Sequence, residues 1–389
     1  MANPQPNPIE VCYISHVATL GGAERSLLDI LGALDRQRYR ASVVLPGPGD
    51  LCDSLRRIGV ATDFCPALQQ FHRTGSPLQA GARAMHVLRA ASALRRLIAN
   101  RAPDIVHANS TTAALYALGL PLRRQPPTLW HLRDLVLPAA AGRMLAYRCE
   151  RIVVPSSCCH DLARTIAPPA KIVDIPNGIR LSPARGQRQH RRANDDSGRL
   201  LVVTIGQLVD WKGHMTALEV ARGVLSRCSG VDFLIIADDR LGATTLTRRQ
   251  LTEKLHALGL GGHVTIRGFA DDVPDLLARA DILLHPDFPE PFGRIVVEAM
   301  DAGCAVVAYR GAHGPAEIIR HEVDGLLAAH TPGALESAVI RLAKDPRLRT
   351  RLGTQAQQRA RTQFDATRMA RQLQDLYTTI ACKDADRTA

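Results

Sequence analysis

Short apolar runs alternate along the chain with longer stretches whose apolar positions recur every three or four residues. Residues 9–15, IEVCYIS, predict a buried strand, followed by the loop HVATLGG and a helix beginning near Ala23. Further strand-like runs stand at 41–45 (ASVVL), 104–107 (DIVH), 127–130 and 151–154 (RIVV). The clearest helical stretch between them is 79–100, where Met85, Leu88, Leu94, Leu97 and Ile98 share helical spacing. Strands alternating with helices predict a parallel sheet covered on both faces. Residues 182–199, SPARGQRQHRRANDDSGR, are polar, basic and aperiodic, and read as a linker.

The pattern restarts at Leu200 with LLVVTIG, a helix from about Gly213, FLIIA at 233–237, a helix near 244–258 and HVTIRG. It continues with a short helix in DDVPDLLARA, the run DILLHP, a helix at 293–302, AVVAY and a short helix at 315–320. The predicted organisation is an α/β domain over 1–181, the linker, and a second over 200–363. A last amphipathic helix at 364–380 lies in a tail, 364–389, that could cross back to the first domain. Both domains read as Rossmann-like and doubly wound, so the cleft between them is the default binding site.

Composition narrows the class. The chain has 389 residues, 46% hydrophobic and 22% charged, room for two domains of about 150–200 residues each. No apolar stretch approaches a membrane span and the N-terminus lacks a signal-peptide profile, so a cytoplasmic protein is expected. None of the nine cysteines sits in a CxxC pair or at metal-ligand spacing, and Cys158 and Cys159 are the only close couple; all read as reduced core or near-core residues. The net charge of +12 lies wholly in the first half: residues 1–200 hold 26 Lys and Arg against 14 Asp and Glu, and residues 201–389 hold 23 of each. One domain therefore suits an anionic surface or acidic ligand. With few aromatics and no nucleic-acid-binding motif, nucleic acid is not the expected partner; an anionic lipid surface, or merely Arg-rich codon usage, fits as well.

Three loops carry candidate chemistry. In LGGAER, Gly21 and Gly22 follow a strand and open a helix, leaving backbone amides where the helix dipole favours an anion. This is not the GxGxxG fingerprint, and the second strand ends in Leu45-Pro46 with no acid for a ribose, which argues against NAD; a tight strand-to-helix turn is the plainer alternative. In IGQLVDWKGH, 205–214, Lys212 precedes a helix start and is placed to hold a diphosphate, although a solvated lysine has the same signature. In EPFGRIVVE, Gly293 allows close backbone approach, and the amides near Phe292, Gly293 and Arg294 predict an anion-binding helix start between Glu290 and Glu298. Glu298 follows Ile295, Val296 and Val297 on a nearly all-apolar helix, so it is either paired or functional. A core ion pair for Glu298 and a helix cap for Glu290 are the structural alternatives.

The run from Gly268-Phe269 through DDVPDLLARADILLHP, EPFGRIVVEAMDAG, AVVA, EII and DGLL resembles the C-terminal domain of glycosyltransferase family 4, retaining enzymes of the GT-B fold. GGAE at 21–24, DIVHAN at 104–109, WHLRD at 130–134 and IPNGI at 175–179 resemble its N-terminal landmarks, so the likeness spans nearly the whole chain. The resemblance implies two Rossmann-like domains facing a central cleft. It implies Glu298 on the ribose hydroxyls, Glu290 on the donor sugar, Lys212 on the diphosphate, the amide of Gly21 or Gly22 against the phosphates, and His131 beside the reacting sugar. Two departures stand out: Gln207 where the family usually has arginine, and ADDR at 237–240 in place of a GDGP-like turn. The first removes a cation from the diphosphate grip and leaves Lys212, the helix dipoles and Arg294 or Arg240 to compensate.

The expected activity is sugar transfer from a UDP- or GDP-linked donor to a hydroxyl of a lipid-linked or soluble glycan acceptor, in bacterial polysaccharide, lipopolysaccharide or glycolipid synthesis. The family mechanism implies same-face attack, a donor phosphate oxygen taking the proton, and His131 and Glu290 stabilising the sugar cation, with no metal or cofactor. Asp238-Asp239 only weakly suggests a metal-binding DxD-type site. A glycoside hydrolase using Glu290 and Glu298, a GT-B nucleotide-sugar epimerase and a non-catalytic nucleotide-sugar-binding protein are the rivals.

Overall fold

The computed structural model describes residues 7–68, 77–118, 125–135, 137–181, 198–240 and 246–388. Nearly all of the predicted linker, residues 182–197, lies outside them, as do Arg123 and Arg124. The chain divides into two compact units, residues 1–178 with 366–389, and residues 179–365.

Unit 1 is built on strands β1 (Ile9–Ile14), β2 (Tyr39–Leu45), β3 (Ala61–Phe64), β4 (Ile105–Ala108), β5 (Thr128–His131), β6 (Arg151–Val154) and β7 (Ile172–Asp174). They pair in parallel in the order β3-β2-β1-β4-β5-β6-β7. Helices Gly22–Gly32, Asp50–Arg57, Pro77–Arg101, Thr111–Leu118, Ala139–Arg148 and Ser157–Arg164 alternate with them. The strand period of two explains why these runs are apolar throughout. Cys12, Ile14, Val106, Ala108, Trp130 and Ile152 fill one face, together with Leu94, Tyr116 and Leu145. Val11, Tyr13, Val43, Ile105, Leu129 and Val153 fill the other, against Leu27 and Ile30. That second face is completed by Met369, Leu373, Tyr377 and Ile380 of the last helix, Ala366–Thr388.

Unit 2 repeats the scheme with β8 (Leu200–Gln207), β9 (Val231–Asp238), β10 (Val264–Arg267), β11 (Ile282–His285), β12 (Ala305–Tyr309) and β13 (Leu326–Ala328), in the order β10-β9-β8-β11-β12-β13. Helices His214–Leu225, Arg248–Ala257, Val273–Arg279, Arg294–Asp301, Gly314–Ile318, Pro332–Lys344 and Pro346–Gln363 cover it. In each sheet the chain order reverses beside the first strand, between β1 and β4 and between β8 and β11. Ligands of doubly wound sheets bind at the carboxyl ends of such strands.

Several predicted boundaries shift. The strands expected at 104–107 and 127–130 each run one residue later, at Ile105–Ala108 and Thr128–His131; the Asp104 carboxylate accepts the amide of Glu10 (2.8 Å), and Pro127 has no amide to donate to a ladder. His131 thereby becomes the last residue of β5. The helix expected near 244–258 starts at Arg248, where the Thr247 hydroxyl accepts the Gln250 amide as an N-cap. The last helix starts at Ala366 and runs to Thr388, past the predicted end at 380. None of the nine cysteines is in a disulfide; Cys382 is exposed and so departs from the expected core or near-core placement.

Leu373 is fully buried between the last helix and the sheet. Leu373→Ala is expected to cost about 2–5 kcal/mol in urea unfolding; a loss below about 1 kcal/mol would show that this helix is not integral to the core of unit 1.

Candidate functional site

In unit 2 the carboxyl ends of β8 and β11 converge on Lys212. Beyond β8 the chain makes a short 3-10 turn, Asp210–Lys212, and Gly213 takes a left-handed φ of 65° before the helix His214–Leu225. A Cβ on Gly213 would stand 2.5 Å from the Pro286 carbonyl oxygen, so glycine is required there twice over. The lysine stem then crosses Gly206, where an added Cβ would meet its Cδ at 3.3 Å.

Beyond β11 come the groups that hold the ammonium. Lys212 Nζ lies 2.6 Å from Asp287 Oδ2 and 2.5 Å from Glu290 Oε2, with its side chain only 18% exposed. Burial alone would drive the ammonium toward neutrality, but the two carboxylates outweigh it and hold the Lys212 pKa above its ordinary value. Glu290 answers in kind: burial raises it, Lys212 outweighs burial, and the net direction is down. The other Glu290 oxygen, Oε1, accepts the amides of Gly293 (2.9 Å) and Phe292 (3.4 Å). These are amides expected to stand free for an anion; in this structure Glu290 itself occupies the helix start. His285 is buried beside Asp287 (3.3 Å), and burial holds its imidazole pKa below the ordinary value. His285, Asp287 and Glu290 offer donor atoms within 4.8 Å of one another, a set that could ligate a cation, but the cation they surround is the Lys212 ammonium.

Glu298 is not the lone carboxylate on an apolar face that its neighbours suggest. Val296, Val297, Ala299 and Met300 make the buried face of the helix Arg294–Asp301. Glu298 is partly accessible, and its Oε1 accepts Arg294 Nε at 2.7 Å across one helical turn. Arg294 is thus engaged, and Arg240, the other cation expected to compensate for Gln207, pairs with Asp238 (3.1 Å) and lies over the Phe269 ring. Gln207 ends β8, and its carbonyl accepts His214 Nε2 at 2.8 Å.

In unit 1, Gly21 caps the helix Gly22–Gly32, but its amide is not free: the buried Glu24 carboxylate accepts it at 3.2 Å. Gly22 faces open space, with no atom within 4 Å of an added Cβ. His131 is fully buried, its pKa held well below the ordinary value first by burial and then by the Arg133 charge. Its Nε2 has no hydrogen-bond partner among the described residues. Arg133 anchors the surroundings, donating to Asn177 Oδ1 (2.7 Å), the Asn109 carbonyl (3.2 Å), Ser26 Oγ (3.2 Å) and His131 Nδ1 (3.2 Å). Arg133, His107, Asn109 and Asn177 belong to motifs legible in the sequence, WHLRD, DIVHAN and IPNGI, yet none was singled out; Asp287 likewise follows DILLHP.

Two parallel, doubly wound sheets with sites at their switch points define the class, the GT-B glycosyltransferase fold, and solved structures of that class are similar to the chain. HepE from Anabaena, in complex with UDP and glucose, superposes with a TM-score of 0.77 at 22% identity, covering 95% of this chain and 100% of that one. A sucrose-phosphate synthase from Thermosynechococcus elongatus gives a TM-score of 0.80 at 18% identity, covering 96% and 100%. Residues 20–182 match the family described as Glycosyltransferase Family 4, and residues 186–359 match Glycosyl transferases group 1. The chain belongs to glycosyltransferase family 4. A D-inositol 3-phosphate glycosyltransferase of Corynebacterium glutamicum (strain R) is 31% identical over 195 residues, 48% of this chain and 45% of that protein, so the match spans less than half of that relative. The alpha-D-kanosaminyltransferase of Streptomyces kanamyceticus is 27% identical over 332 residues, 76% of this chain and 81% of that protein.

The sign of the pH dependence follows from the two shifts. The Glu290 pKa is lowered in the folded state, so its pairing contributes stability above the ordinary carboxylate range and loses it as pH falls through the lowered value. The Lys212 pKa is raised, so its contribution is complete below the ordinary lysine range and fades only as pH rises through the raised value. Lys212→Met strands two buried carboxylates side by side and is expected to cost about 3–5 kcal/mol at neutral pH. Urea unfolding of the variant should show this loss shrinking toward pH 4, as the stranded carboxylates take up protons. A loss independent of pH would mean that the ion pairs are not its source.

Proposed function

We propose that the protein is a retaining, metal-independent transferase that moves a sugar from a UDP- or GDP-linked donor to a hydroxyl of a glycan or glycolipid acceptor. The observation that carries this reading is Lys212, kept cationic by Asp287 and Glu290 at the switch point of unit 2, beside a helix start and a partly accessible Glu298. The UDP and glucose bound in the similar Anabaena structure support the donor class.

Bond cleavage builds charge on the leaving diphosphate, and a fixed ammonium with helix-start amides is suited to stabilise it. Glu298 keeps acceptor capacity beyond Arg294 for ribose hydroxyls. Glu290 takes the donor-sugar hydroxyls and His131 the transferred sugar, while a donor phosphate oxygen accepts the proton of the attacking hydroxyl.

Screening UDP, GDP, ADP and their sugars for thermal stabilisation, then following acceptor-dependent nucleotide release, tests the reading. Lys212→Ala is expected to weaken nucleoside diphosphate binding at least tenfold while nucleoside binding changes less than about threefold, since one charge-assisted contact contributes about 1.5–3 kcal/mol. Equal loss of both ligands would move Lys212 away from the phosphates, and nucleotide binding without acceptor-dependent release would leave a non-catalytic binding protein.

A lipid-linked acceptor is the version favoured by unit 1. Arg89, Arg95 and Arg96 are exposed on the helix Pro77–Arg101 along with Met85 and Leu88, and Arg143 and Tyr147 are exposed on Ala139–Arg148. The expected basic surface is thinner than its arginine count suggests, because Arg101 pairs with Asp63, Arg151 with Glu150, and Arg148 donates to the Leu118 carbonyl. No described helix is long and apolar enough to cross a membrane. Peripheral docking on an anionic leaflet on the cytoplasmic side, at about 1 kcal/mol per nearby cation, is expected to co-sediment the protein with anionic vesicles at low salt and release it at raised salt. Binding indifferent to lipid charge would favour a soluble acceptor.

A further inference from the structure

The sheet face of unit 1 that the last helix covers carries a line of polar rings. Tyr13 on β1 and His107 on β4 are direct register partners. His131 on β5 stands two residues beyond Leu129, the partner of His107, so all three side chains point to the same face. Tyr377 reaches them from the helix Ala366–Thr388, and all four are fully buried. Their polar atoms form one chain: Tyr13 Oη to Tyr377 Oη at 2.9 Å, Tyr377 Oη to His107 Nδ1 at 2.6 Å, and His107 Nε2 to His131 Nδ1 at 3.3 Å. Arg133 Nη2 meets the same His131 Nδ1 at 3.2 Å.

Only one assignment of protons satisfies every link. A guanidinium donates and never accepts, so His131 Nδ1 must be the acceptor. Burial drives both imidazoles toward the neutral form, His107 to about 3 and His131 well below its ordinary value, and the Arg133 charge adds to both shifts. Each ring therefore carries one proton, and that of His131 sits on Nε2. For His107 Nε2 to bond to the bare His131 Nδ1, it must carry the His107 proton; the reverse tautomer would set two lone pairs against each other at 3.3 Å. His107 Nδ1 is then an acceptor, the Tyr377 hydroxyl gives it its one proton, and Tyr377 accepts from Tyr13. The last donor in the line, His131 Nε2–H, is buried and meets no acceptor among the described residues.

We propose that Arg133, His107 and Tyr377 are positioning residues that fix His131 as its Nε2–H tautomer, so that His131 offers a hydrogen-bond donor, and not a base, to a ligand oxygen. The sugar-facing role of that ligand oxygen rests on the function proposed above, whereas the tautomer does not. Under that function, His131 would recognise an oxygen of the donor sugar or phosphate and would have no lone pair free to take the acceptor's proton. The C-terminal helix would then be part of the apparatus that orients the site, through the single hydroxyl of Tyr377.

Long-range proton–nitrogen spectra of the full chain with 15N-labelled histidine, assigned through His107→Gln and His131→Gln, read the tautomers without any substrate. Wild-type His131 is expected to carry its proton on Nε2. Arg133→Met is expected to give a mixture of both His131 forms, and Arg133→Lys, which restores a donor, to return the Nε2–H form. Tyr377→Phe keeps the ring packing and is expected to shift part of His107 to its Nδ1–H form. A proton on His131 Nδ1 in the wild type, an unchanged His131 in Arg133→Met, or an unchanged His107 in Tyr377→Phe overturns the proposal. Titration with UDP-glucose tests the functional reading separately: movement of the His131 Nε2–H resonance supports it, and a silent titration counts against the sugar-facing role while the tautomer result stands.

Discussion

Lys212 stays charged inside unit 2 only because two carboxylates meet it there, and much of the local architecture follows from that requirement. An ammonium taken out of water costs several kcal/mol unless its partners are close and themselves satisfied. Asp287 and Glu290 supply the charge, and the amides of Phe292 and Gly293 satisfy the far side of Glu290. For these groups to meet, β8 and β11 must be neighbours, which the reversal of strand order provides. The lysine must also cross its own strand end, which explains the bare backbone at Gly206 and the left-handed turn at Gly213 against Pro286. Gly293, with a φ of 89° and a prospective Cβ only 2.9 Å from Pro315, lets the helix begin where Glu290 can cap it.

Unit 1 engages its partly buried cation differently. Arg133 donates to Asn109, Asn177, Ser26 and His131. After burial, its charge is the next cause that holds His107 and His131 neutral. It also acts on Glu24, lowering a carboxyl pKa that burial otherwise raises. The planar fork of arginine suits this arrangement because it distributes one charge over several donors. The cation of unit 2 thus sits between two carboxylates, while the hydrogen bonds of Arg133 in unit 1 run to two asparagines, a serine and an imidazole.

The fold was legible because fully buried parallel strands leave continuous apolar runs such as IEVCYI and LLVVTI, which neither loops nor amphipathic helices imitate. The two edge strands of unit 1 were not: ATDF in β3 and IVD in β7 are short and partly exposed, and their sequences lack the apolar run. At the site, Lys212, Glu290 and Gly293 could be picked out because glycines and prolines punctuate the chain around them. Asp287 could not, since nothing in DILLHPD tells a buried ion-pair partner from a loop aspartate. Tyr377 lies in the amphipathic helix with nothing in the local sequence to single it out; its hydroxyl matters only because the fold brings it to His107, 270 residues away in sequence. The Arg294–Glu298 pair is visible in the sequence as i,i+4 spacing, although the apolar residues between and around the two suggest a buried carboxylate.

The caging of Lys212 sets a condition on any diphosphate ligand. Such a ligand would compete with Glu290 for the ammonium and for the amides at Gly293, so its affinity is a difference between two well-satisfied arrangements. Glu290 cannot be left buried and ionised without partners, since a stranded buried charge costs about 3–5 kcal/mol, more than a single charge-assisted bond returns. It must therefore keep one partner or find new ones, and hydroxyl groups are suitable because they donate without bringing charge. A nucleotide sugar supplies both halves of that exchange, phosphates for Lys212 and hydroxyls for Glu290. If, as proposed, the ribose hydroxyls go to Glu298, a bare nucleoside diphosphate would supply only the first, and an intact nucleotide sugar would be better matched to the ion-pair arrangement than its leaving group.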